Sequence, residues 1–178
     1  MGEGRRGGAG IDSCAMVAGS EMIAAMAAVD KGNAQDKSEV RLTVLFVCMG
    51  NCVRSQMAEA LARHQVADVI VAQSAGLRPL GFIDPTARAV VEERGASMEG
   101  QFSKGLHDHS LHPSDVIVNM SGVPGTSVHF FHGRVFEDWP IGDPFGEDIV
   151  THRNICDDIE ARIKQLAARL RAESAKAS

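Results

Sequence analysis

The chain has 178 residues, a formal net charge of −5 at pH 7 and a hydrophobic content of 44%. This length and composition suit one domain of ordinary size with a real hydrophobic core. The acidic balance and the lack of a basic stripe exclude a typical nucleic-acid-binding surface, and no uninterrupted apolar run is long enough to span a bilayer.

Residues 1–39 differ in character from the rest, and we expect them to form a mobile N-terminal extension. The segment begins glycine-rich, and its later alanine and methionine pieces have the composition of a short helix. Ser20 and Glu21 interrupt the apolar region, which argues against a secretory signal. The folded domain is therefore expected at residues 40–174.

From residue 41 onward, strand-like and helix-like segments alternate, which predicts an α/β fold. The predicted strands cover 41–47, 69–72, 115–120 and 134–136. The predicted helices cover 55–65, 85–94 and 148–175, and the segment 106–111 is compatible with a further short helix. Asp84 is the expected N-cap of the second helix, because Pro85 suits the first helical position. We expect a single doubly wound sheet of about four parallel strands with helices on both faces.

The most informative segment runs from Cys48 to Ser55, and we call it the oxyanion loop. It follows the first predicted strand and leads into the first predicted helix, with an arginine six positions after a cysteine. Helix N-termini offer unpaired backbone N–H groups and partial positive charge, so anions bind there readily. Gly50 and Asn51 tolerate the left-handed backbone that a curled loop requires. This loop is predicted to bind a tetrahedral oxyanion.

Cys48 is the candidate nucleophile, because the same field favours its thiolate form. Arg54 offers a planar fork to two oxyanion oxygens, and the Ser55 hydroxyl is placed to donate to the sulfur. The predicted oxyanion-binding residues are Met49, Gly50, Asn51, Cys52, Val53, Arg54 and Ser55.

The segments 44–51 and 54–60 resemble the low-molecular-weight protein tyrosine phosphatase superfamily, which includes thiol-dependent arsenate reductases. The similarity extends from about residue 41 to about residue 170 and includes Ser74-Ala75-Gly76. Phe136-Glu137-Asp138-Trp139 is similar to the arsenate reductase branch in particular. The resemblance implies a phosphotyrosine protein phosphatase I-like fold.

Displacement at phosphorus needs a proton donor for the leaving group, and Asp143 is the candidate. From the residues alone, Asp143 before Pro144 is equally an acid or an ordinary turn aspartate. The resemblance implies the acid, with Trp139 shielding the site. Asp138 and Asp148 are rivals, and both are expected to face solvent or to cap.

The resemblance also implies that Asn51, Ser55 and Ser74 brace the oxyanion loop. Glu59 falls where some arsenate reductases hold a potassium ion, while Lys104 falls near the position of a further acidic ligand. Our hypothesis is that the Lys104 ammonium replaces the ion. No metal and no cofactor are therefore expected. The histidines around residues 107–112 are interpreted as a polar surface loop rather than a metal site.

Two departures from the superfamily pattern concern cysteines. Val53 stands where a second loop cysteine is usual, and Cys52 has moved one residue earlier. Cys52 is either a trap for oxidised Cys48 or simply a small loop thiol. Thioredoxin-coupled reductases use further cysteines after the third strand, but no cysteine occurs here between Cys52 and Cys156, which is expected in the core.

The missing cysteines favour a cysteine-dependent phosphomonoester hydrolase of the phosphotyrosine type, working through a phosphocysteine intermediate. The alternative is an arsenate reductase that uses an external thiol and a redoxin. A second alternative is a non-catalytic phosphate- or phosphoprotein-binding module. The expected partners are a phosphorylated protein or small phosphomonoester, or arsenate with a small thiol or redoxin, with no nucleic acid and no membrane. A catalytic thiolate and the absence of a C-x-x-C pair favour the cytoplasm.

Overall fold

The computed structural model describes residues 41–177. The predicted extension 1–39, which includes Cys14, lies outside the described residues. None of the helices within 41–177 combines the length and the apolar character needed to cross a membrane.

Four parallel strands form one sheet in the order β2-β1-β3-β4. The strands are β1 (Leu42–Cys48), β2 (Ile70–Gly76), β3 (Val116–Asn119) and β4 (Phe136–Asp138). The predicted parallel α/β sheet is therefore confirmed. At the carboxyl end, Cys48 lies beside Gly76, and Asn119 lies beside Asp138. The loops that follow the strands are thereby gathered at one edge, where ligands bind in open α/β sheets.

Three α-helices cover one face of this sheet. They are α1 (Arg54–Gln65), α2 (Pro85–Glu92) and α3 (Ile149–Ala177). Asp84 caps α2 as predicted, because its carboxylate accepts the backbone N–H groups of Thr86 and Ala87. The other face is covered by loops and by two short 3-10 helices, Gly125–Ser127 and His129–Phe131.

Successive side chains of β1 point to opposite faces of the sheet, so the hydrophobic core has two parts, one on each face. Val44 and Phe46 point to the helical face, where they pack with buried residues of α1 and α3. Leu45 and Val47 point to the opposite face and pack with Phe131 of the second 3-10 helix. Burial on both faces explains why β1 is continuously apolar in sequence.

The main differences from the predicted elements concern β2, β4 and the segment 106–111. β2 continues to Gly76 rather than ending at residue 72, and β4 begins at Phe136 rather than at residue 134. The segment 106–111 consists of turns and irregular backbone, so the suggested helix there is wrong.

Candidate active site

The oxyanion loop connects the end of β1 to the first turn of α1. Asn51 has a φ of 46°, so its predicted left-handed backbone is confirmed. Gly50 serves a different purpose from the one expected, because its φ does not lie in the left-handed region. A Cβ at Gly50 would lie 3.0 Å from Leu80 Cδ1 and 3.1 Å from Cys52 Sγ. Gly50 is therefore needed for close packing of the loop.

The Cys48 sulfur lies at the floor of this loop and is almost completely buried. Its Sγ atom accepts the backbone N–H of Asn51 at 3.2 Å and lies 3.0 Å from the Ser55 hydroxyl. The identity of the donor in the second contact follows from the neighbouring hydrogen bonds.

The orientation of the Asn51 amide is fixed by a backbone donor. The N–H of Lys104 donates to Asn51 Oδ1 at 2.7 Å, and a backbone N–H can act only as a donor. Asn51 Nδ2 therefore donates to the hydroxyl oxygens of Ser55 at 2.8 Å and Ser74 at 2.9 Å. Because each of these hydroxyl oxygens accepts a hydrogen bond from Asn51, each hydroxyl donates its own hydrogen bond to another acceptor.

The acceptor for the Ser74 proton is the Glu59 carboxylate, with Oγ and Oε2 2.6 Å apart. The acceptor for the Ser55 proton is the Cys48 sulfur. The sulfur thus accepts two hydrogen bonds, one from a backbone amide and one from a hydroxyl. A thiolate has no proton to donate, so a sulfur that only accepts hydrogen bonds is in an arrangement that suits a nucleophile.

Glu59 is itself buried and faces two cations. Lys104 Nζ lies 3.6 Å from Glu59 Oε2, and Arg63 Nη1 lies 3.4 Å from Oε1. Lys104 is also buried, so its ammonium occupies the space beside Glu59. The structure thus brings the sequence-predicted supporting residues Glu59, Ser74 and Lys104 together behind the oxyanion loop.

Gln56 is a brace that the sequence reasoning missed. Its Nε2 lies 3.1 Å from the backbone oxygen of Asn51, 2.9 Å from Asn51 Oδ1 and 2.9 Å from the Phe102 carbonyl. Gln101 in turn donates to Gln56 Oε1 at 2.7 Å. Gln56 is fully buried, and its position directly after Ser55 in the sequence was the available signal.

Arg54 is held rigidly, and only 3% of its surface is exposed. Its Nη1 donates to the carbonyls of Met120 at 2.7 Å and Ile141 at 3.2 Å, and its Nη2 contacts Asp143 Oδ2. Its Nε is buried and has no hydrogen-bond partner among residues 41–177. A buried donor without a partner is costly, which makes this nitrogen a suitable donor to a bound oxyanion.

Asp143 lines the same cavity as Cys48. Its side chain is half exposed and forms an ion pair with Arg54, while its Oδ1 accepts the Phe145 N–H at 3.2 Å. The two rival aspartates lie elsewhere. Asp138 accepts hydrogen bonds from Asn119 and Gly125, and Asp148 accepts one from the N–H of Thr151.

The cavity above the sulfur has a volume of about 400 Å³. The oxyanion loop forms its floor, and Arg78, Leu80, Asp143 and Phe145 complete its walls. The sequence analysis did not identify Arg78, Leu80 or Phe145 as wall residues. The position of Arg78 and Leu80 shortly after a strand's carboxyl end was an available signal.

The other described cysteines are not activated. Burial, together with the nearby charges of Cys48 and Asp143, raises the pKa of Cys52 to about 11. Burial within α3 also raises the pKa of Cys156 to about 12. Val53 is buried at the N-cap position of α1 and provides no side-chain cap. Across residues 41–177, Cys48 and Cys52 are the cysteines that line the cavity.

Among the described residues, no group of three or more histidine, cysteine, aspartate or glutamate side chains is placed to hold a metal ion. His107 contacts Phe130 edge-on, with ring centroids 5.4 Å apart, and His129 contacts His132 at 5.2 Å. These rings lie outside the set of residues that lines the cavity.

Comparison with known proteins gives a consistent result. The model for "Low molecular weight phosphotyrosine protein phosphatase" matches residues 43–176. A glutaredoxin arsenate reductase from Synechocystis sp. is 33% identical, with coverage of 71% of this chain and 97% of that protein. An arsenate reductase from Brevibacillus brevis is also 33% identical and covers 72% of this chain and 96% of its own length.

Solved structures show the same likeness. An arsenate reductase in a phosphate-binding state has a TM-score of 0.66 and 32% identity, covering 72% of this chain and 98% of that one. The YwlE arginine phosphatase from Geobacillus stearothermophilus also has a TM-score of 0.66, with 25% identity and coverage of 76% and 96%. The sequence match, the shared fold and the thiol-centred oxyanion loop together place this chain in the low molecular weight phosphotyrosine protein phosphatase family, as an enzyme of its arsenate reductase-like branch.

Proposed function

We propose that the protein is a phosphomonoester hydrolase of the phosphotyrosine type that uses Cys48 as its nucleophile. The observation that carries this proposal is the double hydrogen bonding of the Cys48 sulfur in a cavity that Asp143 also lines. A thiolate and a carboxyl group that line one cavity suit the roles of nucleophile and proton donor in displacement of an alkoxide or phenoxide.

Substrate binding begins with the phosphoryl oxygens. The backbone N–H groups of the oxyanion loop and the unpaired Nε of Arg54 donate to these oxygens. The dianion competes with Asp143 for the Arg54 guanidinium and places negative charge beside the carboxylate. The acid role requires Asp143 to carry a proton once the phosphoryl group is bound.

Chemistry then proceeds in two displacements. The Cys48 sulfur forms a bond to phosphorus while the bond to the leaving oxygen breaks, and Asp143 gives that oxygen its proton. Asp143 next accepts a proton from water, whose oxygen attacks the phosphocysteine and returns the thiolate. Ser55 donates to the sulfur throughout, which stabilises it as a leaving group.

Arsenate reduction is the second candidate, and the names of the relatives favour it. The relative from Synechocystis sp. is called a glutaredoxin arsenate reductase, and it aligns over 97% of its length. In this reaction the Cys48 sulfur would bond to the arsenic of arsenate while one oxygen leaves as water. An external thiolate would then attack the Cys48 sulfur and form a mixed disulfide, while the electron pair of the sulfur–arsenic bond goes to arsenic, which leaves as arsenite. Because no third cysteine lines the cavity within residues 41–177, such a reaction would depend on thiols supplied from outside.

The non-catalytic alternative has no supporting observation. Cys48, Arg54 and Asp143 all line the cavity, and a binding module would not require the acid.

The test compares two activities of the purified chain. Hydrolysis of p-nitrophenyl phosphate without added thiol supports the hydrolase, provided that Cys48→Ser abolishes it and Asp143→Asn slows it. Glu147→Gln serves as the matched control for Asp143→Asn, because Glu147 is an exposed carboxylate in the same loop outside the cavity. Arsenite formation that requires added glutathione and glutaredoxin, with no hydrolysis, would instead establish the reductase.

A further inference from the structure

Arg78 lies at a fixed position beside the oxyanion loop. Its backbone N–H donates to the Met49 carbonyl at 2.8 Å, between two similar bonds from Leu77 to Cys48 and from Leu80 to Gly50. Three backbone hydrogen bonds thus align the segment after β2 with the floor of the cavity. The Arg78 side chain departs from a rigid backbone and lines the cavity wall.

The guanidinium of Arg78 is not neutralised by another residue. Its side chain forms neither an ion pair nor a hydrogen bond with any residue in the range 41–177, and it is exposed. Arg54, in contrast, is buried and already bound to two carbonyls and Asp143. The cavity is therefore lined by two guanidinium groups: that of Arg54, which is already hydrogen-bonded, and that of Arg78, which has no partner among residues 41–177.

Part of the cavity wall is apolar. Leu80 and Phe145 line the cavity, and each is 49% exposed. Phe145 is supported by Phe82, with ring centroids 6.3 Å apart. The cavity therefore combines an oxyanion loop, an apolar wall and an unpaired cation, which suits a ligand with a tetrahedral anion, a small apolar body and a second anion.

We propose that Arg78 is a specificity-determining residue that binds a carboxylate carried by the substrate close to its phosphoryl group. The substrate class is an aromatic phosphomonoester with a neighbouring carboxylate, such as a phosphorylated side chain beside aspartate or glutamate. The inference rests on the proposed function, which identifies the reacting group as a phosphoryl group. Binding of the carboxylate by Arg78 can nevertheless be measured without turnover.

The test uses inert ligands and the reactivity of Cys48. Phenylphosphonate is compared with 3-phosphonobenzoate and 4-phosphonobenzoate, which add one carboxylate to the same aromatic body. Each ligand's affinity is measured as the concentration that protects Cys48 from iodoacetamide, with the modified peptide quantified by mass spectrometry. The variants are Arg78→Met, Arg78→Lys and the matched control Arg41→Met.

Arg41 suits the control because it is an exposed arginine immediately before β1, at the opposite end of the sheet. A strand of 7 residues separates it from Cys48, a distance of about 23 Å at about 3.3 Å per residue. Arg41→Met therefore removes the same charge without touching the cavity.

We expect the wild type to bind one of the phosphonobenzoates about three- to fivefold more tightly than phenylphosphonate, the range of an exposed ion pair. Arg41→Met retains this preference, Arg78→Lys retains part of it, and Arg78→Met loses it. Added salt reduces the preference, because exposed charges are screened. Binding of phenylphosphonate by Arg78→Met shows that this variant is folded.

An equal preference in Arg78→Met and Arg41→Met overturns the inference, as does a wild type that binds all three ligands alike. The proposed function fails separately. If the carboxylate preference depends on Arg78 but no phosphomonoester is hydrolysed, the inference stands and the hydrolase does not. If phosphomonoesters are hydrolysed but the carboxylate preference is absent, the hydrolase stands and the inference about Arg78 does not.

Discussion

Gly76, the last residue of β2, is predicted to be essential for the shape of the oxyanion loop. A Cβ at this position would lie 2.9 Å from each of three atoms: Asn51 N, Asn51 Cβ and the Met49 carbonyl oxygen. Two of these atoms are backbone, so no side-chain rotation relieves the overlap. Gly76→Ala must therefore displace either β2 or the oxyanion loop.

The overlap at Gly76 determines the expected losses of stability and of activity. Overpacking of a tightly packed site typically costs about 1–3 kcal/mol of unfolding free energy. The Asn51 N–H that would be displaced is also a donor to the Cys48 sulfur. Displacement of the oxyanion loop also moves the N–H groups proposed to bind the oxyanion, and loss of one oxyanion-hole donor typically reduces turnover by about 10²–10³. We therefore expect Gly76→Ala to lower kcat/KM by about a hundredfold or more.

Gly105→Ala is the matched control. Gly105 lies beside Gly76 in an isolated β-bridge, but a Cβ there would meet only Pro79, at an ordinary 3.5 Å. Urea unfolding followed by circular dichroism gives the stability, while turnover and the rate of Cys48 alkylation report on the loop. A Gly76→Ala enzyme with the turnover and alkylation rate of Gly105→Ala would refute this reasoning.

Three further predictions concern proton transfer, the buried cation and the thiols. Asp143→Asn should slow hydrolysis of alkyl phosphates by about 10²–10⁴ but p-nitrophenyl phosphate much less, because nitrophenolate leaves without a proton; equal losses would argue against an acid. Lys104→Met should reduce stability to urea and make activity depend on potassium, whereas strong potassium dependence of the wild type would contradict replacement of the ion by an ammonium. At neutral pH, iodoacetamide should label Cys48 well before Cys52 and Cys156. The thiols of Cys52 and Cys156 should react only as the pH rises toward their pKa values of about 11 and 12. Mass spectrometry of the labelled peptides checks this order, and early labelling of Cys52 would contradict it.

The parts of the fold that the sequence predicted depend on local signals. β1 is a continuous apolar run, and α2 begins with an Asp84 cap followed by Pro85. These residues determine their own conformation within a few positions. The left-handed Asn51 is likewise a local preference, which is why the oxyanion loop was recognisable before its surroundings were known.

The parts that could not be predicted depend on distant partners. The second half of β2, from Gln73 to Gly76, is polar and small, and it is a strand because it pairs with β1. Glu137 and Asp138 belong to β4 through their pairing with β3. In such segments tertiary pairing overrides intrinsic strand preference.

The same distinction applies to the candidate site. The spacing of Cys48, Arg54 and Ser55 is local, but the fixing of Arg54 by the Met120 and Ile141 carbonyls joins segments far apart in sequence. The wall position of Arg78 also depends on how β2 lies against β1. The candidate nucleophile, the candidate acid and part of the bracing network were predictable from the sequence, whereas Gln56, the carbonyls that hold Arg54 and the wall residue Arg78 were not.

The most direct test of the account is to look for a phosphoryl group on Cys48 during turnover. The enzyme is mixed with p-nitrophenyl phosphate, quenched rapidly under denaturing conditions, and the peptides are examined by mass spectrometry. The account predicts one phosphoryl group on the Cys48 peptide, and none in Cys48→Ser. Sustained hydrolysis with an unmodified Cys48, or with full activity in Cys48→Ser, would contradict it.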